Sequence, residues 1–445
     1  MVVNALASSG VIRVGYPLLI FGAGAAGINA AMLAAARRVD VTVVEQTRTL
    51  FSSISGCTLR RIDPTEYDWP HDHWKTARFP MVGSIPLPQA GATSGAALAA
   101  FFTTQWRSFR KLRNGRNGYG TVTVLRRLDA HTLLESHLAS NPFLEVSGKW
   151  GIRHANPQTR CFGARLSCIG HGTELVDELP LHGMWQGYAG PRFWTDSDGI
   201  HANAPLPAGV SRVVISGAGD GGMQDLQRAA TSRFGRELYE QLEAAAATNP
   251  MPKIDILPTQ GMITALMSAE EGARRAFVWA PNRNAAPRTL TKWHGTFRQA
   301  VEHMVHAWPN QVANHVAQAL FRPEFFHWDP QIRISWVMRD ATPGYAYALN
   351  RYLSLLLCTL AHRICPGLIE VYPLSTLHTI SPVGHSCTSA ATCVGEHHVV
   401  EIDHGILGQT TRDAELIIIR HGIEPGRPVA GAPVPEQMTP FDLPH

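Results

Sequence analysis

Residues 18–27 read LLIFGAGAAG, and residues 212–222 read RVVISGAGDGG. In both, a short apolar run breaks into three glycines spaced Gly-x-Gly-x-x-Gly. The first set is Gly22, Gly24 and Gly27; the second is Gly217, Gly219 and Gly222. The residues after the first set decide its meaning. INAAMLAAARR is an alanine-rich helical pattern, and VDVTVVE (39–45) is a second apolar strand that ends in Glu45. Strand, glycine turn, helix, strand and terminal acid make a complete βαβ unit with a dinucleotide fingerprint. Each residue type has a physical reason. Gly22 permits the tight turn, Gly24 lets the backbone approach a pyrophosphate, and Gly27 lets helix and strand pack closely. The helix N-terminus offers free N–H groups to the phosphates. Glu45 lies where a carboxylate accepts hydrogen bonds from a ribose.

The second turn opens a similar unit with a different spacing. RVVIS (212–216) reads as a strand, and helix-forming residues run from Met223 to about Ala247. The next strand does not come at once. A mostly helical stretch, placed at 248–330, intervenes before QIRISWVMRD (331–340), a helical pattern from TPGYAYALNRYLSLLL onward, and the strand GLIEVYP. The expectation is a second βαβ unit split by a helical insertion. Arg339 sits where a guanidinium fork binds a 2′-phosphate, and Asp340 where an acid holds a 2′-hydroxyl.

RLSCIGHG (165–172) and ELIIIRHG (415–422) mirror each other, and each closes the region that one glycine turn begins. The architecture is duplicated. The expected fold is α/β, with two Rossmann-type dinucleotide-binding domains, 1–205 and 206–422, the second interrupted by the helical insertion, and an irregular tail at 423–445 rich in Pro and Gly.

The bulk composition fits this division. A chain of 445 residues exceeds what one core usually serves. Its 45% hydrophobic and 17% charged residues are those of an ordinary globular protein. A net charge of +4 with no basic block disfavours nucleic acid as a partner. Seven cysteines with no Cys-x-x-Cys pair argue against a disulfide framework or a structural zinc site. No apolar run is long enough for a membrane span, and no leader pattern opens the chain, so a cytoplasmic protein is expected. Assembly with further copies of itself is left open.

On these motifs the chain resembles the two-dinucleotide-binding-domain flavoproteins, the class that includes glutathione reductase, thioredoxin reductase and the flavin-dependent monooxygenases. The resemblance implies FAD on Gly22, Gly24, Gly27 and Glu45, and NADPH or NADH on Gly217, Gly219 and Gly222. It covers about half the chain and implies a superfamily, not a substrate. Cys57 has no second cysteine a few residues away, which argues against the disulfide-reductase branch. No strand–Gly-Asp element comes after IIIRHG, and the insertion has no counterpart in the simple reductases.

The stretch SSISGCTLRRIDPTEYDWPHDHWKTARFP (52–80) is polar, aromatic and aperiodic. In this architecture it runs from the ribose end of the first nucleotide toward the flavin ring. Arg60 is a candidate for pyrophosphate and Arg61 for a substrate carboxylate, because guanidinium forks match both. Asp63, Glu66, Asp68 and Asp72 supply carboxylates, with Asp63 the candidate catalytic one. His71 and His73 titrate near neutrality and are candidate proton carriers. Trp69 and Trp74 are candidate pocket walls. The alternative is a surface loop held by ion pairs and tryptophan packing. The weaker candidates are Tyr345, Asn350 and Arg351 facing the cleft, and a solvated Glu396-His397-His398. Neither His71-x-His73 nor His303, His306 and His315 completes a metal-ligand set.

The resulting expectation is an FAD-dependent oxidoreductase using NAD(P)H, nearer a monooxygenase acting on a small organic substrate, with the insertion as a lid. The alternatives are an amine or amino-acid oxidase or dehydrogenase whose second domain is silent, and a non-catalytic dinucleotide sensor.

Overall fold

The computed structural model describes residues 2–71, 73–76, 93–127, 143–146, 158–168, 188, 190–196, 198–201, 204–274, 286–326, 332–344, 346–384 and 394–421. Two four-stranded parallel sheets organise it. In the first, Leu18–Phe21 lies between Val41–Glu45 and Ala164–Ser167, and Val122–Arg126 adds outside Val41–Glu45. In the second, Arg212–Ser216 lies between Arg333–Val337 and Leu416–Ile419, with Ile369–Tyr372 outside Arg333–Val337. Counted along the chain, both sheets have the spatial order third, second, first, fourth, which is the Rossmann half-fold. RLSC and ELIII are the fourth strands of their sheets, so the duplication expected from sequence is the one observed. Cys168 and His421 are the last described residues of those two stretches.

The first unit is packed by small side chains. Helix Ala25–Ala36 lays Gly27, Ile28, Ala31, Met32, Ala34 and Ala35 against the sheet. Helix Gly95–Leu112, which the sequence analysis did not single out, crosses back to Val122–Arg126. Ser94 caps it through the Ala97 amide at 3.1 Å, and its buried face carries Leu98, Phe102, Trp106 and Phe109 at helical spacing.

The second sheet is covered on both faces, and its strands alternate accordingly. Val213, Ile215, Ile334, Trp336, Leu416 and Ile418 join the core with the helices. Val214, Val337, Ile417 and Ile419 join a separate core with an antiparallel meander, Thr376–Pro382, His398–Asp403 and Gln409–Ala414. His398 is buried there against Tyr188, which corrects the solvated reading for His398, while Glu396 is exposed and His397 partly so. The helix expected from Met223 to Ala247 is two helices, Asp220–Thr231 and Gly235–Ala247. Ser232 adopts φ 68° and ends the first, a conformation that alternating helical propensity does not reveal.

The insertion comprises helices Gln260–Arg274, Ala286–Ala307 and Asn310–Leu320. Trp293, Phe297, Val301, Val305, Val312 and Val316 from it share one buried cluster with Tyr352, Leu353 and Leu356 of helix Ala348–Ile364. A lid must open, and opening here would expose that cluster, so the insertion is part of the core.

Trp69, Trp74 and their neighbours lie within the sequence span of the first unit but pack into the core of the second. Trp69 is 1% exposed, with ring centroids 5.0 Å from Tyr352, 6.1 Å from Tyr239 and 6.3 Å from Phe297. Trp69→Ala is expected to cost about 3–5 kcal/mol in urea unfolding, the range for emptying an aromatic core site. A loss under 1 kcal/mol would show that the ring is not packed this way.

Candidate nucleotide-binding site

The two glycine turns superpose in their hydrogen bonding, contact by contact. The first glycine donates to the end of the neighbouring second strand: Gly22 N to Val44 O at 2.7 Å, Gly217 N to Val337 O at 3.0 Å. The next carbonyl accepts from the loop beyond that strand: Ala23 O from Phe51 N at 3.2 Å, Ala218 O from Gly344 N at 3.1 Å. The fourth strand reaches the first strand's last residue: Cys168 N to Phe21 O and Arg420 N to Ser216 O, both 2.7 Å. The second glycine accepts the first helical bond, from Ile28 N at 3.1 Å and Met223 N at 3.0 Å.

The glycines themselves divide into three roles, identically in both units. Gly22 and Gly217 have φ 94° and 126°, the left-handed region that side chains disfavour. A Cβ on Gly27 would overlap the Gly22 carbonyl oxygen, and one on Gly222 the Gly217 carbonyl oxygen, so these two are spacers between turn and helix. Gly24 and Gly219 have ordinary backbone angles, and nothing lies within 4 Å of where their Cβ would stand. Packing alone therefore does not require these two glycines, and they leave open space at the helix N-terminus where a phosphate could approach the main chain.

The strand-end residues differ between units. Glu45 is buried, and its carboxylate accepts the Ala23 amide at 2.7 Å and the Thr47 amide and hydroxyl at 2.7 Å each. It is fixed against the turn. Arg339 and Asp340 are exposed. Asp220, the first residue of the second helix, is pushed up to about 6 by burial, against the hydrogen bonds that it accepts from the Asn350 side chain and the Tyr347 amide at 2.8 Å. Those bonds hold its carboxylate toward helix Ala348–Ile364.

The polar stretch after residue 52 is placed differently from the sequence expectation. Arg60 is fully buried. Its Nη2 donates to Asp225 at 2.5 Å and Asp198 at 3.3 Å, and its guanidinium lies 3.8 Å from the Phe193 ring centroid. Burial lowers it to about 10. With its charge engaged inside the protein, it is an ion-pair centre and not a phosphate ligand. Arg61 pairs with Glu237. Asp63 is buried and caps its own 3-10 turn through the Thr65 amide at 2.9 Å, so it is a structural cap rather than a base. Trp69 and Trp74 fill core. His71 and His73 remain near the surface with rings 5.8 Å apart. Asp72 and Tyr345 lie outside the described residues, as does the 423–445 tail.

Asn350 and Arg351 are buried too. Arg351 donates to His294 Nδ1 at 2.9 Å and to the Pro343 and Gly344 carbonyls, and it lies 3.8 Å over Trp293. It holds the loop that touches Ala218 and does not face a cleft. His303 and His306 are exposed, while His315 hydrogen-bonds to the Ala245 carbonyl at 2.9 Å. Among the described residues no group of three or more His, Cys, Asp or Glu is placed to hold a metal ion. No described helix is long and apolar enough to cross a membrane. Cys57 is buried and unbridged, and burial raises its thiol.

Asp198, Asp225 and Arg228 belong to no motif in the sequence, yet they form a buried cluster with Arg60. Asp225 bridges Arg60, Arg228 at 2.9 Å and Arg420 at 2.8 Å, and Asp198 takes Arg228 at 2.8 Å. Burial alone would raise the Asp225 carboxyl, but the three guanidiniums hold it well below the usual carboxylate range. Only the polar positions in the buried face of helix Asp220–Thr231, Asp225 and Arg228, hinted at this in the sequence.

No family model matches the chain, and no curated protein matches it. Among solved structures, it is similar to thioredoxin reductase from Lactococcus lactis at 10% identity, over 92% of this chain and 77% of that one, with a TM-score of 0.35. It is similar to a bacillithiol disulfide reductase from Staphylococcus aureus at 9% identity, over 94% and 79%, with a TM-score of 0.37. Histamine dehydrogenase from Rhizobium sp. 4-9 aligns at 10% identity over 92% of this chain and 36% of that one, at 0.27. With scores this low, the two-unit architecture rests on the strand orders and the paired turns.

The geometry of the spacer glycines and of Glu66 can be checked in solution. Gly27→Ala and Gly222→Ala each place a methyl on a backbone carbonyl and should cost about 3 kcal/mol of stability in denaturant titration, the upper range for overpacking. Glu66 is buried, accepts the Arg236 amide at 2.8 Å, and is pushed up to about 8, mainly by burial. Its folded value lies above its unfolded 4.5, so the stability it contributes is whole below pH 4.5 and is lost as pH rises through 8. Glu66→Gln should therefore gain melting temperature over wild type as pH goes from 5 to 8.5. A constant difference across that range would refute the assignment.

Proposed function

We propose that this chain is an FAD-dependent oxidoreductase that uses NAD(P)H. The observation that supports this most is the pair of glycine turns, alike in four backbone hydrogen bonds, each with one glycine facing open space. In this reading FAD lies on Gly22, Gly24 and Gly27, with Glu45 at its adenosine ribose, and the nicotinamide nucleotide lies on Gly217, Gly219 and Gly222. The exposed Arg339 suits a 2′-phosphate, which favours NADPH. A buried acid locked on the first turn suits a resident cofactor, and an exposed cation on the second suits a nucleotide that comes and goes.

Bound together, the two groups would supply hydride donation and two-electron acceptance. The chain's own part is to hold both nucleotides by helix N-termini and keep them in register. The buried, unpaired Cys57 gives no support to dithiol chemistry. Oxygenation of a small organic substrate is the finer reading: NADPH, O2, a proton and substrate would give NADP+, water and the oxygenated product. His71 and His73 are the candidate proton carriers left near the surface.

The test is the absorbance spectrum of the purified protein, before and after NADPH without oxygen. Oxidised-flavin bands that bleach are expected. Bands that persist would leave an oxidase with a silent second unit, and a protein that takes up no flavin would defeat the proposal. Gly24→Val should fold normally yet weaken FAD at least about 100-fold, or ~2.7 kcal/mol. Gly219→Val should do the same to NADPH while sparing FAD.

A further inference from the structure

Relative motion of two domains is the default when their interface is polar and solvated. The interface here is polar, but its centre is buried: Arg60, Asp198, Asp225 and Arg228 are shut away from water beside Trp69 and Trp74. After Cys57 the chain leaves the first sheet and is gripped along its length by Asp196 and Asp198, in the stretch that leads to the second sheet, and by the second unit itself. The amides of Thr58 and Leu59 donate to the Asp196 carboxylate at 2.8–2.9 Å. Arg60 enters the buried cluster of Asp198, Asp225, Arg228 and Arg420. Arg61 pairs with Glu237, Asp63 with Arg236 at 3.6 Å, and Lys75 with Glu243. The Glu66 carboxylate takes the Arg236 amide and fills the space where a Cβ of Gly235 would be. Trp69 and Trp74 stand in the second unit's core. Residues 93–94 then pair with Arg61 and Ile62, and the chain re-enters the first unit as helix Gly95–Leu112.

We infer that residues 58–71 and 73–75 are an interdomain strap that welds the two units into one cooperative body, with Arg60 as its electrostatic centre. The strap touches the helix of the second turn, and the segment that leads into it touches the first. Phe51, just before it, donates to Ala23 of the first turn. Arg60 meets Asp225 on the helix of the second turn, and Asp225 holds Arg420, whose backbone abuts Gly217. Rotating one unit on the other would draw Trp69 from the core and leave Asp225 and Arg60 buried without each other. One consequence rests on the nucleotide reading above: transfer between the two bound nucleotides occurs without rotation of the units.

The test uses the full-length protein and hydrogen–deuterium exchange. Peptides covering 58–75 should exchange as slowly as those of helix Gly235–Ala247, on the order of 1,000-fold slower than an unstructured chain. Tryptophan fluorescence and far-UV circular dichroism should report one coincident unfolding transition. In Arg60→Met, exchange should rise on both sides of the seam, at 51–57 and 220–231 as well as at 58–66. If that variant does not fold, Arg60→Lys should raise the same peptides less. Fast exchange at 58–75 in the wild type, two separated transitions, or a rise confined to 58–66 would each overturn the strap. None of these readouts needs a nucleotide, so failure of the functional proposal leaves the test intact. A small-angle scattering profile unchanged by NADPH, under conditions where it bleaches the flavin, is expected; a changed profile would overturn the rigid coupling alone.

Discussion

The contact on which everything else depends is between a strand's end and a helix's start. Gly27 lies against the Gly22 carbonyl, and Gly222 lies against the Gly217 carbonyl, too close for any side chain. That approach brings the helix N-terminus over the strand's carboxyl end and frees its N–H groups to face outward. It also fixes where the second strand's terminal residue falls, which is why Glu45 can reach the Ala23 amide. Because the approach is made twice, the chain has two such edges.

These features were legible because they are local. A Gly-x-Gly-x-x-Gly turn between apolar strand and helix is decided by residues a few positions apart, and the fourth strand of the second sheet, Leu416–Ile419, is a short, wholly buried apolar run. The helical insertion was legible as a break in spacing, but its role was not. Trp293, Phe297 and Val301 form an apolar face that looks the same in sequence whether it closes over a substrate or over Tyr352. The helix break at Ser232 was invisible because it answers to a distant partner: Gly235 leaves room for Glu66, 169 residues earlier.

The polar stretch after residue 52 shows the same limit from the other side. Arg60, Asp63, Glu66 and Trp69 have the residue types of a catalytic loop. What separates a catalytic arginine from a buried one is the identity of the group that faces it. For Arg60 that group, Asp225, comes from the other unit, across 165 residues. A loop held by ion pairs and tryptophan packing, the alternative reading, is closer to the structure, except that Arg60, Asp63, Glu66, Trp69 and Trp74 are buried rather than on the surface.

The seam holds charges because apolar contact cannot set an alignment. Trp69 supplies burial, and burial is indifferent to small shifts along the surface. Buried ion pairs add little net stability over a well-packed apolar replacement, because desolvation offsets most of their attraction. Their effect is on register. Asp225 accepts three arginines from three parts of the chain: Arg60 from the strap, Arg228 from its own helix, and Arg420 from the end of the fourth strand. A slip that satisfied one guanidinium would abandon another, and a buried charge without its partner is strongly destabilising. The tryptophans keep the units together, and the arginines allow a single alignment between the two glycine turns.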